Sequence, residues 1–288
     1  MSYLLFAWIA SIVYGVEVVV GKLTSKHTIP NPWLLNFIWS FFVILFILPA
    51  AVLNHVGLPH LTINLLWASF FYAITNVFYI LSLQLMDVTA LGPLFNFRAV
   101  FSVILGVIML GEKISPLHVI LIGLIFLAGI FVNVDEKLKL KAFFRPAMAI
   151  VMLFLLSLSL FGVFTNLAIA ENGFWATTLW TMIIAQIMSL VTLPLFWKDL
   201  LRTKIKRYSG LLVMSIASAV AAVTANAAYA SNVGITSVIL SLPFSMIFTI
   251  CISTFNPRLM EHHKAKIYAV RVAAAGFMLL AALELSRV

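Results

Sequence analysis

Charge is what this chain has least of. Only 9% of its 288 residues are charged, nine of them acidic, whereas 64% are hydrophobic. Soluble domains carry roughly 25% charged residues, so a water-soluble fold is excluded. Cysteine is almost absent too: Cys251 stands alone inside an apolar segment, which rules out an internal disulfide framework and a thiolate metal site. Glycine-rich phosphate loops are also missing. Gly15 to Leu23 approaches that pattern but misses its spacing and lacks a Ser or Thr after Lys22. The histidines, His27, His55, His60, His118, His262 and His263, fall in loops or at helix ends without metal-ligand spacing. No nucleophile elbow, carboxylate pair or cofactor motif is present, so no enzyme, cofactor or metal centre is predicted.

The sequence consists instead of apolar runs of membrane-crossing length. A helix needs about 20 residues to cross about 30 Å of hydrocarbon, and on that rule spans are predicted at 3–22, 33–53, 64–86, 89–110, 116–134, 146–170, 174–197, 209–231, 235–256 and 266–286. The first run begins at Tyr3 without a basic leader or a small-residue cleavage site, so it reads as a retained helix rather than a signal peptide. The joints between spans are short and polar, and none could hold a soluble domain.

Lys and Arg divide unevenly between alternate joints. One set holds Lys22, Lys26, Lys137, Lys139, Lys141, Arg145, Lys198, Arg202, Lys204, Lys206, Arg207, Arg258, Lys264 and Lys266; the other holds Lys113 and Arg287. Cytoplasmic loops are enriched in these residues, so both termini are predicted outside a prokaryotic inner membrane. The net charge of +9 then has anionic lipid headgroups as its partner, and nucleic acid need not be invoked.

Punctuation repeats between the halves. Tyr14-Gly15-Val16 is echoed by Phe161-Gly162-Val163, Leu48-Pro49 by Leu193-Pro194, Asn76-x-x-Tyr79 by Asn226-x-x-Tyr229, Val88-Thr89 by Ile235-Thr236 and Glu112 by Glu261. The offset stays near 150 residues throughout. Five helices per half is an odd number, so the second half enters the membrane in the opposite sense. The prediction is an all-α integral membrane protein of ten transmembrane helices. They form two inverted five-helix repeats, 1–134 and 146–288, joined by a basic linker at 135–145, around a central cavity. Substrate sites of such proteins lie near the midplane between the repeats.

With these features the chain resembles the drug/metabolite transporter superfamily and, within it, the ten-helix EamA-like branch. The resemblance is carried by the Gly15 region with Lys22 at the end of helix 1, by Leu91-Gly92-Pro93-Leu94, by Leu110-Gly111-Glu112-Lys113, and by the Ile122 to Phe131 run with Gly123 and Gly129. It implies a basket of two repeats that exports or exchanges small metabolites, often amino acids, with helices 1, 3, 4, 6, 8 and 9 lining the cavity. Two features depart from the family pattern. Met260-Glu261 replaces the second Gly-Glu, and an uncharged Asn54 to His60 loop replaces the usual basic one.

Two charges fall inside predicted spans, Glu17 and Arg98. Each costs about 2.5–3.5 kcal/mol near the bilayer centre on insertion scales, so each needs a partner or a watery cavity. They either hold the amino and carboxylate ends of a zwitterion or form a structural ion pair between helices 1 and 4. Glu17 could instead carry a cation or a coupling proton. Tyr72, Asn76 and Tyr79 share one face of helix 3, and Asn226 and Tyr229 share one face of helix 8. These, with Tyr14 and Trp180, are the remaining substrate-binding candidates; the alternative for the amides is interhelical hydrogen bonding. Pro93 and Pro243 are candidate hinges, or static kinks.

The function expected is export or exchange of small zwitterions by alternating access, as a monomer or homodimer. The alternatives are a proton-coupled exporter of cations or, in a different class, a lipid flippase or membrane-embedded enzyme.

Overall fold

The structure is a computed structural model that describes residues 3–110, 115–132, 145–229, 236, 239–260 and 263–285. The linker at 135–144, the Gly111-Glu112-Lys113 segment, the Ser231 to Val233 joint, Ile235 and Glu261 lie outside the described residues.

The described elements are all helical. They are α1 (Tyr3–His27), α2 (Pro32–Leu53), α3 (Ile63–Leu85), α4 (Val88–Leu94), α5 (Phe97–Leu110), α6 (Pro116–Val132), α7 (Pro146–Asn172), α8 (Phe174–Ser189), α9 (Trp197–Arg202), α10 (Ser209–Tyr229), α11 (Phe244–Phe255) and α12 (Ala265–Leu285). Among the described residues, seven stretches are long and apolar enough to cross a membrane, and three shorter apolar helices lie largely within the fourth, fifth and ninth expected spans. Large apolar side chains such as Phe46, Leu124, Leu127, Phe277 and Leu280 face outward, as they must in contact with lipid. The chain is a multi-pass membrane protein.

Helix starts follow local chemistry. Asn31 accepts hydrogen bonds from the Trp33 and Leu34 amides at 3.0 and 3.2 Å, and Pro32 takes the first position of α2, where its missing N–H costs nothing. Thr62 caps α3 by accepting from Leu65 N. Gly173, at φ 78°, turns the chain sharply between α7 and α8, a conformation that glycine adopts without strain.

The fourth expected span is not continuous. It breaks after Pro93 into α4 and α5, and the backbone crosses Phe95-Asn96 with three-residue hydrogen bonds: Asn96 N to Pro93 O (3.2 Å), Arg98 N to Phe95 O (3.0 Å) and Ala99 N to Asn96 O (3.1 Å). The Asn96 side chain also donates to Pro93 O at 2.9 Å. A second break, at Ser241 to Pro243, precedes α11. The two breaks meet, Ser241 Oγ lying 3.4 Å from Phe95 O.

The closest partnerships are α3 with α7, α1 with α10, and α6 with α12, followed by α3 with α8, α2 with α10, α1 with α11, and α4 with α11. Small residues set some of these spacings. A Cβ at Gly15 would stand 2.7 Å from Phe244 Cβ and 3.2 Å from the Phe244 backbone, so α1 and α11 touch there only because the side chain is missing. Gly15→Ala should therefore lower thermal stability in detergent, by about 1–3 kcal/mol as overpacking typically does. Gly276→Ala on α12, where nothing lies within 4 Å, should leave the unfolding midpoint unchanged in the same scan.

Candidate functional site

A cavity of about 150 Å³ lies where α1, α3, α5, α7 and α10 meet the two helix breaks. At about 10–15 Å³ per water it has room for on the order of ten waters. Seven of the nine binding candidates line it: Tyr14, Glu17, Tyr72, Asn76, Tyr79, Arg98 and Asn226. Trp180 is elsewhere, its indole donating to Gly57 O at 2.9 Å. Tyr229 ends α10, and its side chain lies outside the described residues. Pro93 and Pro243 stand at the two breaks, and Phe95, Leu240, Leu242 and Ser245 around them reach the cavity wall.

Glu17 is 3% exposed, with Ser218 and Tyr79 as its polar neighbours. The Ser218 hydroxyl donates to Met214 O at 2.8 Å and accepts from Trp39 Nε1 at 2.8 Å, so its single proton is already engaged. Glu17 Oε2 is buried without a hydrogen-bond partner among the described residues, and the Tyr79 hydroxyl is buried beside the carboxyl. A buried carboxylate in that condition is costly unless a proton or a cationic group meets it. Arg98 lies on the first turn of α5, 9% exposed, with its guanidinium against α7; a Cβ at Gly162 would stand 3.2 Å from Nη2. One anionic and one cationic group thus border the same small space, walled by Trp39, Tyr72, Tyr79, Phe95, Phe154 and Phe161.

Exposure falls in one direction along all four long helices of the cavity. Tyr14 on α1, Tyr72 on α3, Phe161 on α7, and Ala222 and Asn226 on α10 are partly exposed, whereas Glu17, Tyr79, Phe154 and Ser218 are buried. Ser11, sealed by its bond to Ile239 O at 2.6 Å, and Ala225 are exceptions. The buried set of Glu17, Tyr79, Phe154 and Ser218 lies towards the face that carries the basic joints.

Sequence reasoning named neither Trp39 nor Ser218 as a site residue. A tryptophan seven residues into a membrane helix needs a partner for its N–H, and that was the available signal; for Ser218 there was none. Lys22 also differs from expectation. Lys22 is not a loop residue but lies inside α1, 5% exposed, with Nζ donating to the Leu83 and Met86 carbonyls at 2.7 and 2.8 Å. Arg271, inside α12, is buried as well. It is 4% exposed, with Nη1 donating to Thr89 Oγ1 and Nη2 standing 3.5 Å from Asp87 Oδ2. The carbonyls and the carboxylate at the α3–α4 joint offer these cations what the headgroups would have offered. His263 Nε2 joins the same carboxylate at 3.0 Å. No group of three or more His, Cys, Asp or Glu that could hold a metal occurs among the described residues.

Burial alone would raise the Asp87 carboxyl. The hydrogen bond with His263 and the charges of Arg271, His263 and Lys22 outweigh burial and hold it below the ordinary carboxylate value. A group depressed in the folded state stabilises the protein above its unfolded pKa, about 3.9 for Asp, and loses that contribution as pH falls through the lower folded value. Asp87→Asn should thus lower the unfolding midpoint at neutral pH and flatten its decline below about pH 4 relative to wild type. Thermal scans across pH 3–7 in detergent check this.

Residues 1–134 match the EamA-like transporter family. No curated protein matches the chain. Among solved structures, the crystal structure of a protein 12% identical in sequence superposes with a TM-score of 0.65 over 98% of this chain and 97% of that one, a likeness of fold alone. The first 134 residues are thus similar to the EamA-like transporter family, a family of membrane transporters within the drug/metabolite transporter superfamily.

Proposed function

We propose that the protein is a secondary transporter that exports or exchanges small zwitterions, most simply amino acids, by alternating access through this cavity. The observation that carries the reading is that Glu17 and Arg98 border one cavity with tyrosine and asparagine walls. Glu17 offers a buried carboxylate oxygen without a hydrogen-bond partner among the described residues, a fitting seat for an ammonium group. Arg98 offers a planar donor set suited to a carboxylate, and Asn76, Asn226 and Tyr72 add orienting polar atoms around an aromatic lining.

The helix partnerships support an inverted repeat of ten spans. Exchanging the halves turns α1 with α10 into α7 with α3, and α2 with α10 into α8 with α3, and all four pairings occur. The two helix breaks exchange likewise and meet at the cavity. Discontinuous helices at the midplane are a recurrent feature of such transporters. The charge asymmetry of the joints supports termini on the outer face of a prokaryotic inner membrane.

A second reading, a proton-coupled exporter of cations, rests on the same unsatisfied Glu17 oxygen, with Arg98 then a structural residue. Counterflow in proteoliposomes loaded with the twenty amino acids separates the two. Selective uptake of a labelled amino acid, reduced about ten- to hundredfold by either Glu17→Gln or Arg98→Gln as expected for loss of one charge-assisted bond, supports the zwitterion reading. Uptake absent for every amino acid, with proton-driven cation exchange lost only in Glu17→Gln, supports the second.

A further inference from the structure

Beyond the buried end of the cavity the helices are packed tightly. Gly21 of α1, Leu83 of α3 and Met214 of α10 meet so closely that a Cβ on Gly21 would stand 2.9 Å from Met214 Cε and 3.0 Å from Leu83 Cδ1. A Cβ on Gly210 would stand 2.7 Å from Thr24 Oγ1 one turn further along the same contact. An ionic cluster adjoins this contact. Lys22, five residues beyond Glu17 and so about 7.5 Å along α1, donates to the carbonyls of Leu83 and Met86, which the end of α3 leaves without helical donors. Asp87 follows at once, and its Oδ2 faces His263 Nε2 at 3.0 Å and Arg271 Nη2 at 3.5 Å. Arg271 also reaches Thr89 at the start of α4, and the Tyr268 hydroxyl accepts from His263 N at 3.1 Å.

We propose that Lys22, Asp87, Arg271 and His263 form the latch that closes the cavity on its basic face, and that transport requires this latch to part. Asp87 and Thr89 at the α3–α4 joint, from the first half of the chain, bind Arg271 of α12, and Asp87 binds His263 before it, from the second, while Lys22 ties α1 to the end of α3 within the first half. The latch therefore spans the boundary across which the halves would rock. Its chemistry suits a contact made and broken in every cycle. When the helices separate, ammonium, guanidinium, imidazole and carboxylate all meet water on the loop face, so opening exposes no large apolar surface there. A buried ion pair seldom adds net stability, and a role in switching accounts better for charges placed there. The proposal rests on the alternating-access reading but on no particular substrate.

The test is the accessibility of the cavity from each face. In a Cys251→Ala background, Ala222→Cys places one thiol on the cavity wall, and a membrane-impermeant maleimide is applied to sealed vesicles of either orientation. The latched protein should label at least tenfold faster from the face opposite the basic loops. Lys22→Met and Asp87→Asn should each raise labelling from the basic face several-fold and lower it from the other. Should Lys22→Met fail to fold, Asp87→Asn, nearly isosteric, carries the reading, and Thr89→Ala, which removes one partner of Arg271, gives a smaller shift in the same direction. Folded variants with an unchanged ratio between faces would overturn the latch while leaving alternating access intact. Labelling from both faces at once, or from neither, in every variant would overturn alternating access and the latch with it. A mistaken substrate class would change none of these ratios.

Discussion

Hydrocarbon offers a peptide group nothing to bond with, and every notable feature of this molecule follows from that constraint. A chain crossing lipid must satisfy its backbone internally, which makes it helical, and irregular backbone at membrane depth survives only where it is buried in protein or borders a wet cavity. The breaks at Phe95-Asn96 and Ser241 to Pro243 obey this rule. Their amides and carbonyls are retained by short-range bonds and by the Asn96 side chain, and both border the same cavity. Both breaks thus fall where the backbone borders a cavity rather than lipid.

The same constraint governs the charges. Glu17 and Arg98 are tolerated at depth because each faces the cavity, and Lys22, Asp87, Arg271 and His263 because they face one another. The two groups differ in what they leave undone. In the cluster at the α3–α4 joint, Asp87 pairs with His263 and Arg271, and Lys22 bonds the Leu83 and Met86 carbonyls. Glu17 keeps a buried oxygen without a hydrogen-bond partner among the described residues, and that oxygen belongs to a cavity-lining residue. Position along the membrane normal thus separates a recognition layer from a closing layer on the same helices, with about a turn and a half of α1 between Glu17 and Lys22.

Much of this was legible in the sequence, because membrane proteins write their architecture in hydropathy. The apolar runs located most of the helices, although the fourth expected span is broken and the described helix of the ninth begins only at Phe244, and rarity of charge pointed to Glu17 and Arg98 without any coordinates. The Asn-x-x-Tyr pattern brought Asn76, Tyr79 and Asn226 to one cavity. Tertiary partnership was not legible. Lys22 sits near a helix end in the sequence, where loop and buried residues look alike, and only the approach of the α3 carbonyls decides between them. Arg271 shares that ambiguity. Trp39 and Ser218 join Glu17 from separate helices, 179 residues apart, and no local pattern encodes such a meeting. The break after Pro93 was half visible, since proline weakens a helix without dictating whether it bends or parts.

The central claim is that a solute is held between Glu17 and Arg98, above the Lys22 layer and against the two helix breaks. A structure determined with a transported solute bound tests it most directly. The account predicts density in the cavity, with a cationic group of the solute at Glu17 Oε2 and an anionic group at the Arg98 guanidinium. A solute seated instead in the shallow pocket between the Asn54 to His60 loop and Asn172 to Ala176, with the central cavity empty, would contradict it.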